Sequence, residues 1–224
     1  MTIYVCGDIH GYFKDFNVFM NVHQDADIIL QVGDFGYWPK FFSDPIYVSK
    51  GGNQFSIKNK DTKIYFCDGN HEDHDALDKL TNNEVIKNVF YMKRGKTLKL
   101  NDGRTVLFMG GAYSIDKYLR VAGHDWFPQE TITQRDINNL PDVDIDIVIS
   151  HTAPVTFKLY DYNNDYGTDP SREALDVVLN KYKPKLWYFG HMHKYSVGQN
   201  KNCKWFGLSA IGLNKDRWFM KLDN

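Results

Sequence analysis

The sequence predicts an α/β fold with sheet inside and helices outside, and three observations carry that prediction. Short β-rich runs alternate with segments of helical period through the first half of the chain. The second half adds hairpin-like pairs of strands around turn residues. Five of the apolar runs stop at a short polar motif, and open α/β sheets bind ligands beyond the C-terminal ends of their strands.

The elements follow in order. "TIYVC" (2–6) is β-rich and runs straight into "GDIHG". "FKDFNVFMNVH" (13–23) places Phe13, Phe16, Phe19 and Met20 at helical spacing. "DIILQV" (27–32) is a buried-type strand ahead of "GDFG". The stretch 37–62 is long and irregular, with Pro39, Pro45 and the Gly51-Gly52 pair. A loop of that length is often functional, and its Tyr37, Trp38, Phe41 and Phe42 suit a substrate lid. "KIYFC" (63–67) is a strand before "DGNHED", and 73–80 look helical. "KTLKL" and "RTVLFMGGA" flank Asn101-Asp102-Gly103, the signature of a hairpin turn. A short helix is expected over 131–139, starting at Thr131. "DIDIVIS" (144–150) is a strand running into "HTAP". "SREALDVVLNKY" (171–182) is an amphipathic helix with Ser171 as its N-cap. "KLWYF" leads into "GHMH", and strands follow at 203–208 and 217–222.

Size and charge set bounds. The chain has 224 residues, 42% of them hydrophobic, which is enough for one sizeable core and for one domain or at most two. It is read as a single domain, 1–224. A formal net charge of −1 does not favour nucleic acid as a partner. Cys6, Cys67 and Cys203 have no framework spacing and are expected as buried, reduced thiols. No N-terminal signal and no apolar run of about eighteen residues is present, so no membrane partner and a cytoplasmic location are expected.

The polar motifs carry the chemistry. His10, His71, His151, His191 and His193 all fall at strand ends, and so do Asp8, Asp34 and Asn70. Each motif alone is weak. Asp-x-His is usually a turn or cap, Gly-Asp a turn, Asn-His a loop, and a histidine after an apolar strand often a satisfied core residue. The ordered set is another matter. Five unrelated loops would rarely collect these residue types, each after an apolar strand. Mixed oxygen and imidazole donors suit Mn²⁺, Fe²⁺ and Zn²⁺.

With those motifs in order from Asp8 to His193, the chain resembles the calcineurin-like metallophosphoesterase family, in its small bacterial and phage-type form. The resemblance implies a four-layer αββα sandwich, two mixed sheets flanked by helices. It implies two divalent ions, Mn²⁺ foremost, with Fe, Zn or Ni as alternatives. One would be held by Asp8, His10, Asp34 and His193. The other would be held by Asp34, Asn70, His151 and His191, with Asp34 bridging. His71 would bind no metal and would protonate or stabilise the leaving oxygen. A second role for His71 is only to orient Asn70. Glu72 and Asp73 are read as caps of the following helix, and Met192 as packing.

Such a site suits phosphate-ester hydrolysis. Two cations about 3.5–4 Å apart neutralise the phosphate and turn a bridging water into a hydroxide for in-line attack. A histidine titrates near neutrality and so suits acid catalysis. The second motif, Gly33-Asp34-Phe35-Gly36-Tyr37-Trp38, lacks the second Asp and the Arg of the family's protein-phosphatase branch. The resemblance therefore implies a phosphoesterase for small phosphorylated molecules, nucleotides among them, with phosphomonoester activity left open by His71. A phosphodiesterase or nuclease for cyclic nucleotides or nucleic acid is one alternative. A metal-bearing scaffold without turnover is the other. The segment 110–130 offers substrate contacts, with Arg120 foremost because its planar fork suits phosphate, then Tyr113; Trp38 is a third candidate. A surface loop pinned by aromatic burial is the equal alternative for that segment.

Overall fold

The β-rich runs pair into two sheets with the same plan, four parallel strands flanked by an antiparallel strand at each edge. The computed structural model describes residues 1–41, 57, 61–159, 169–212 and 217–222. The first sheet contains β1 (Ile3–Cys6), β2 (Ile28–Gln31), β3 (Lys63–Phe66), β4 (Glu84–Ile86), β5 (Val89–Tyr91) and β12 (Phe219–Lys221), in the order β12-β1-β2-β3-β5-β4. The second contains β6 (Thr97–Lys99), β7 (Thr105–Met109), β8 (Ile147–Ser150), β9 (Leu186–Phe189), β10 (Ser196–Asn200) and β11 (Cys203–Gly207), in the order β10-β11-β9-β8-β7-β6.

Alternation along each strand builds the layers. In β1, Ile3 and Val5 join Val106, Phe108, Ile147 and Ile149 in one core between the sheets. Tyr4 and Cys6 turn to the other face and pack with Phe13, Phe16, Phe19 and Met20 of helix α1 (Phe13–Val22). The second sheet repeats the arrangement. Val148 and Trp187 leave the inter-sheet core and meet Leu175, Val178 and Leu179 of helix α4 (Pro170–Tyr182). The result is the expected sandwich of helix, sheet, sheet and helix. All three cysteines are buried and free.

Local chemistry sets the boundaries. The hairpin around 101–103 forms as expected, joining β6 and β7 antiparallel. Helix α2 (His74–Asp78) is capped by Asp73, whose side chain accepts from the Ala76 amide. Helix α3 (Gln134–Asn138) starts three residues later than expected. Thr133 is its N-cap, because Thr133 and Asp136 close a capping box. Helix α4 begins at Pro170, and its cap is Asp169 rather than Ser171. The Asp169 carboxylate accepts from the Ser171 and Arg172 amides, and Pro170 needs no partner at the first helical position. Most of the expected lid at 37–62, Phe42 included, lies outside the described residues.

Candidate metal centre

Five parallel strands deliver the polar motifs to one rim. Asp8 and His10 follow β1, Asp34 follows β2, and Asn70 and His71 follow β3, three neighbours in the first sheet. His151 follows β8, and His191 and His193 follow β9, two neighbours in the second. The loops turn at once to bring the side chains inward. His10, Asp34, His191 and His193 all hold positive φ angles, of 48°, 52°, 65° and 50°. Non-glycine residues there cost about 1–3 kcal/mol each, and such strain gathers at functional sites. Two glycines give the carboxylates room: a Cβ at Gly190 would overlap Asp8 Oδ1, and one at Gly69 would overlap Asp34 Oδ1.

One oxygen from each of Asp8 and Asp34 and one nitrogen from each of His10 and His193 lie within 4.8 Å of one another. His193 Nε2 is 3.0 Å from Asp8 Oδ2. The Nε2 atoms of His10 and His193 face each other at 2.9 Å. Two lone pairs repel at that distance, so a proton or a cation belongs between them. Asp34 Oδ2 is buried and makes no hydrogen bond among the described residues. It lies 3.3 Å from His151 Nε2 and 3.6 Å from His10 Nε2. Its partner oxygen, Oδ1, accepts from the His71 amide at 2.7 Å. An orphaned carboxylate oxygen between two imidazoles fits a metal ligand.

The far side of Asp34 shows the same demand for positive charge. His151 Nδ1 donates to the Val32 carbonyl at 3.0 Å, which leaves Nε2 facing Asn70 Oδ1 at 3.1 Å. Burial alone would lower the His151 pKa, but Asp34 outweighs it and raises the value to about 9. A proton on Nε2 therefore stands where a cation would serve the same oxygens. Burial, then the neighbouring His151, pushes His191 down to about 3, so its ring is neutral. That ring lies 5.0 Å from the His151 ring, and its amide donates to both Asp8 oxygens. Burial opposes ionisation of Asp34, yet His151, His71 and His10 hold its carboxyl well below the usual range.

His71 sits apart from these ligands. Its Nε2 is 3.0 Å from Arg120 Nη2. A guanidinium only donates, so Nε2 accepts and carries no proton in this arrangement. Burial lowers the His71 pKa, Asp34 works against that, and Arg120 adds to it. Arg120 also binds Asp116 at 2.9 Å, and its Nη1 is buried with no hydrogen-bond partner among the described residues. Arg120, Tyr113, Ile115, Leu159, Met192 and Lys194 help line a cavity of about 480 Å³ that opens on Asp34, Asn70 and His71. Met192 thus faces the cavity as well as packing, a correction to its reading as packing alone. Trp38 does not line it. The Trp38 indole donates to the His71 carbonyl at 2.8 Å and stacks near Phe41.

Sequence reasoning also missed some supports. Glu72 does not cap helix α2. Its buried carboxylate accepts from the amides of Phe35, Gly36 and Tyr37, tying the second motif to the third. Ser114 and Glu130 stand behind Asn70 and carried no motif signal.

The fold and the centre together define a metal-dependent phosphoesterase class. A family model described as calcineurin-like phosphoesterase matches residues 1–195, and the chain belongs to that family. No curated protein matches the chain. Among solved structures, it is similar to the phosphopantetheinyl hydrolase PptH of Mycobacterium tuberculosis, at 13% identity and a TM-score of 0.53, over 99% of this chain and 95% of that one. It is similar to TT1561 of Thermus thermophilus, at 13% identity and a TM-score of 0.55, over 93% and 89%. GAP50, the anchor in the inner membrane complex of Plasmodium, shares 14% identity and a TM-score of 0.55, over 100% and 76%. Likeness at these identities establishes the fold. No helix among the described residues is long and apolar enough to cross a membrane.

Proposed function

We propose that the protein is a dinuclear metal-dependent phosphatase acting on small phosphorylated molecules, with nucleotides among the candidates, in the cytosol. The observation that carries the reading is the convergence of Asp8, His10, Asp34 and His193 into one ligand-sized cluster. One ion would be held by those four. A second would be held by Asp34, Asn70, His151 and His191, with Mn²⁺ the first candidate. When bound, the ions would supply charge neutralisation at the phosphate and activation of water.

The chain's own residues do the rest. Arg120 offers from the cavity wall an Nη1 that has no partner among the described residues, and a planar guanidinium suits phosphate oxygens. His71 faces the same space and would serve the leaving oxygen, as donor once Arg120 turns to the phosphate. Tyr113, Ile115 and Leu159 present an apolar side to the non-phosphate part of the substrate. The cavity suits a small ester better than a polymer.

The test compares aryl phosphomonoesters and diesters across Mn²⁺, Ni²⁺, Zn²⁺ and Mg²⁺, followed by a nucleotide panel. Monoester turnover above diester turnover is expected. Diester preference would favour the phosphodiesterase reading, and ion binding without any turnover would favour a scaffold.

A further inference from the structure

Asn70 is the one amide among the expected ligands, and its side chain has two nearly isosteric orientations. With Oδ1 inward it offers a carbonyl to a cation. Flipped, it would present an NH₂ and repel one. Something must choose between them. Asn70 Nδ2 donates to Ser114 Oγ at 3.0 Å, while Oδ1 faces His151 Nε2 at 3.1 Å. Both Asn70 and Ser114 are buried.

A serine hydroxyl can donate or accept, and here Oγ is placed to take the Asn70 NH₂, which leaves Oδ1 inward. Glu130 fixes the place of Ser114. Glu130 is 1% exposed, and its Oε1 accepts from the Ser114 amide at 2.9 Å and from the Trp126 indole at 2.9 Å. Burial pushes the Glu130 carboxyl up, the Ser114 amide works against that, and Oε2 makes no hydrogen bond among the described residues. The outward Asn70 amide finds Oγ as its acceptor, on a residue whose backbone Glu130 holds in place. Glu130 is itself held from behind. Arg94 donates to the carbonyls of Gln129, Glu130 and Thr131, and it is anchored by Asp68 at 2.6 Å.

We infer that Ser114 and Glu130 are positioning residues that lock the Asn70 carbonyl toward the ion shared with His151. The pair joins the segment 110–130 to the centre through hydrogen bonds rather than through ligation. This gives that segment a defined task besides lining the cavity. The inference rests on the two-ion reading proposed above.

Calorimetric titration with Mn²⁺ tests it on four proteins: wild type, Asn70→Ala, Ser114→Ala and the double variant. Asn70→Ala identifies which binding step depends on the Asn70 carbonyl. Ser114→Ala is expected to weaken that step about 10–100-fold, the usual scale for outer partners of metal ligands. The other step should stay at its wild-type value. In the Asn70→Ala background, Ser114→Ala should add nothing, because its effect passes through the amide. Wild-type affinity in Ser114→Ala overturns the inference alone, and so does an undiminished loss in the double variant. A wild-type chain that takes up no Mn²⁺ overturns the proposed function and this inference with it.

Discussion

At the scale of single residues, Asp34 carries the most. It is fully buried, one oxygen is held by the His71 amide, and the other lies between two imidazoles with no hydrogen bond among the described residues. Asp34→Asn keeps an oxygen for the His71 amide, so the fold should survive. The substitution removes the charge that would bridge the two proposed ions, and turnover should fall by at least about 10³-fold, or about 4 kcal/mol. Near-wild-type rates would refute the bridge. His71 is the second test. His71→Ala should slow esters with poor leaving groups by about 10²–10⁴-fold and activated aryl esters much less. Equal losses on both would remove the acid role and leave His71 as a partner for Arg120. The sequence made both residues visible, because each sits in a motif after an apolar strand. It did not make the Arg120 contact visible, since forty-nine positions separate Arg120 from His71.

Elements behave differently from residues. The buried Asp68–Arg94 pair fastens the end of β3 to the turn at 128–131. Removing the guanidinium would strand a carboxylate that is 1% exposed. Arg94→Met should therefore cost about 3–5 kcal/mol in denaturant unfolding. Burial opposes ionisation of Asp68, but Arg94 prevails and holds its carboxyl below the usual range. The sign follows. A lowered folded pKa adds stability that is complete above about pH 3.9 and is lost as the pH falls through the folded value. Asp68→Asn should flatten the loss of stability in that acid window, and an unchanged acid profile would discard the pair as its source. Element boundaries were only partly legible. Strand β5, a central pairing partner of β3, has three residues and no periodic signal of its own. Strand β10 has the run "SVGQN", which gains its place by pairing with β11. Such strands exist because a neighbour supplies their hydrogen bonds, and a local pattern does not record that.

Across the whole molecule, the expected ligands come from both sheets, so a bound ion would tie the two halves of the sandwich together. Binding to the folded state alone adds stability by mass action, about 2.7 kcal/mol at 100 times Kd. For a chain of this size that should raise Tm by roughly 5–10 °C, and chelation should reverse the shift. A Tm indifferent to Mn²⁺ and to chelator would count against the centre.

The sequence by itself determined the chemistry on offer: which residue types, in which order, each after an apolar strand. That was enough for the family, the layered fold and the roster of expected ligands, because strand periodicity and motif order are local properties. Only the tertiary structure decided how the roster is used. His10 and His193 stand 183 positions apart and meet at 2.9 Å. Glu72 left the helix it adjoins to bind three amides of another loop. The direction of the Asn70 amide depends on Ser114 and Glu130, which announce nothing in the sequence. In each case the deciding contact joins segments far apart in the chain, and only the closing of two sheets on one rim brings them within hydrogen-bond reach.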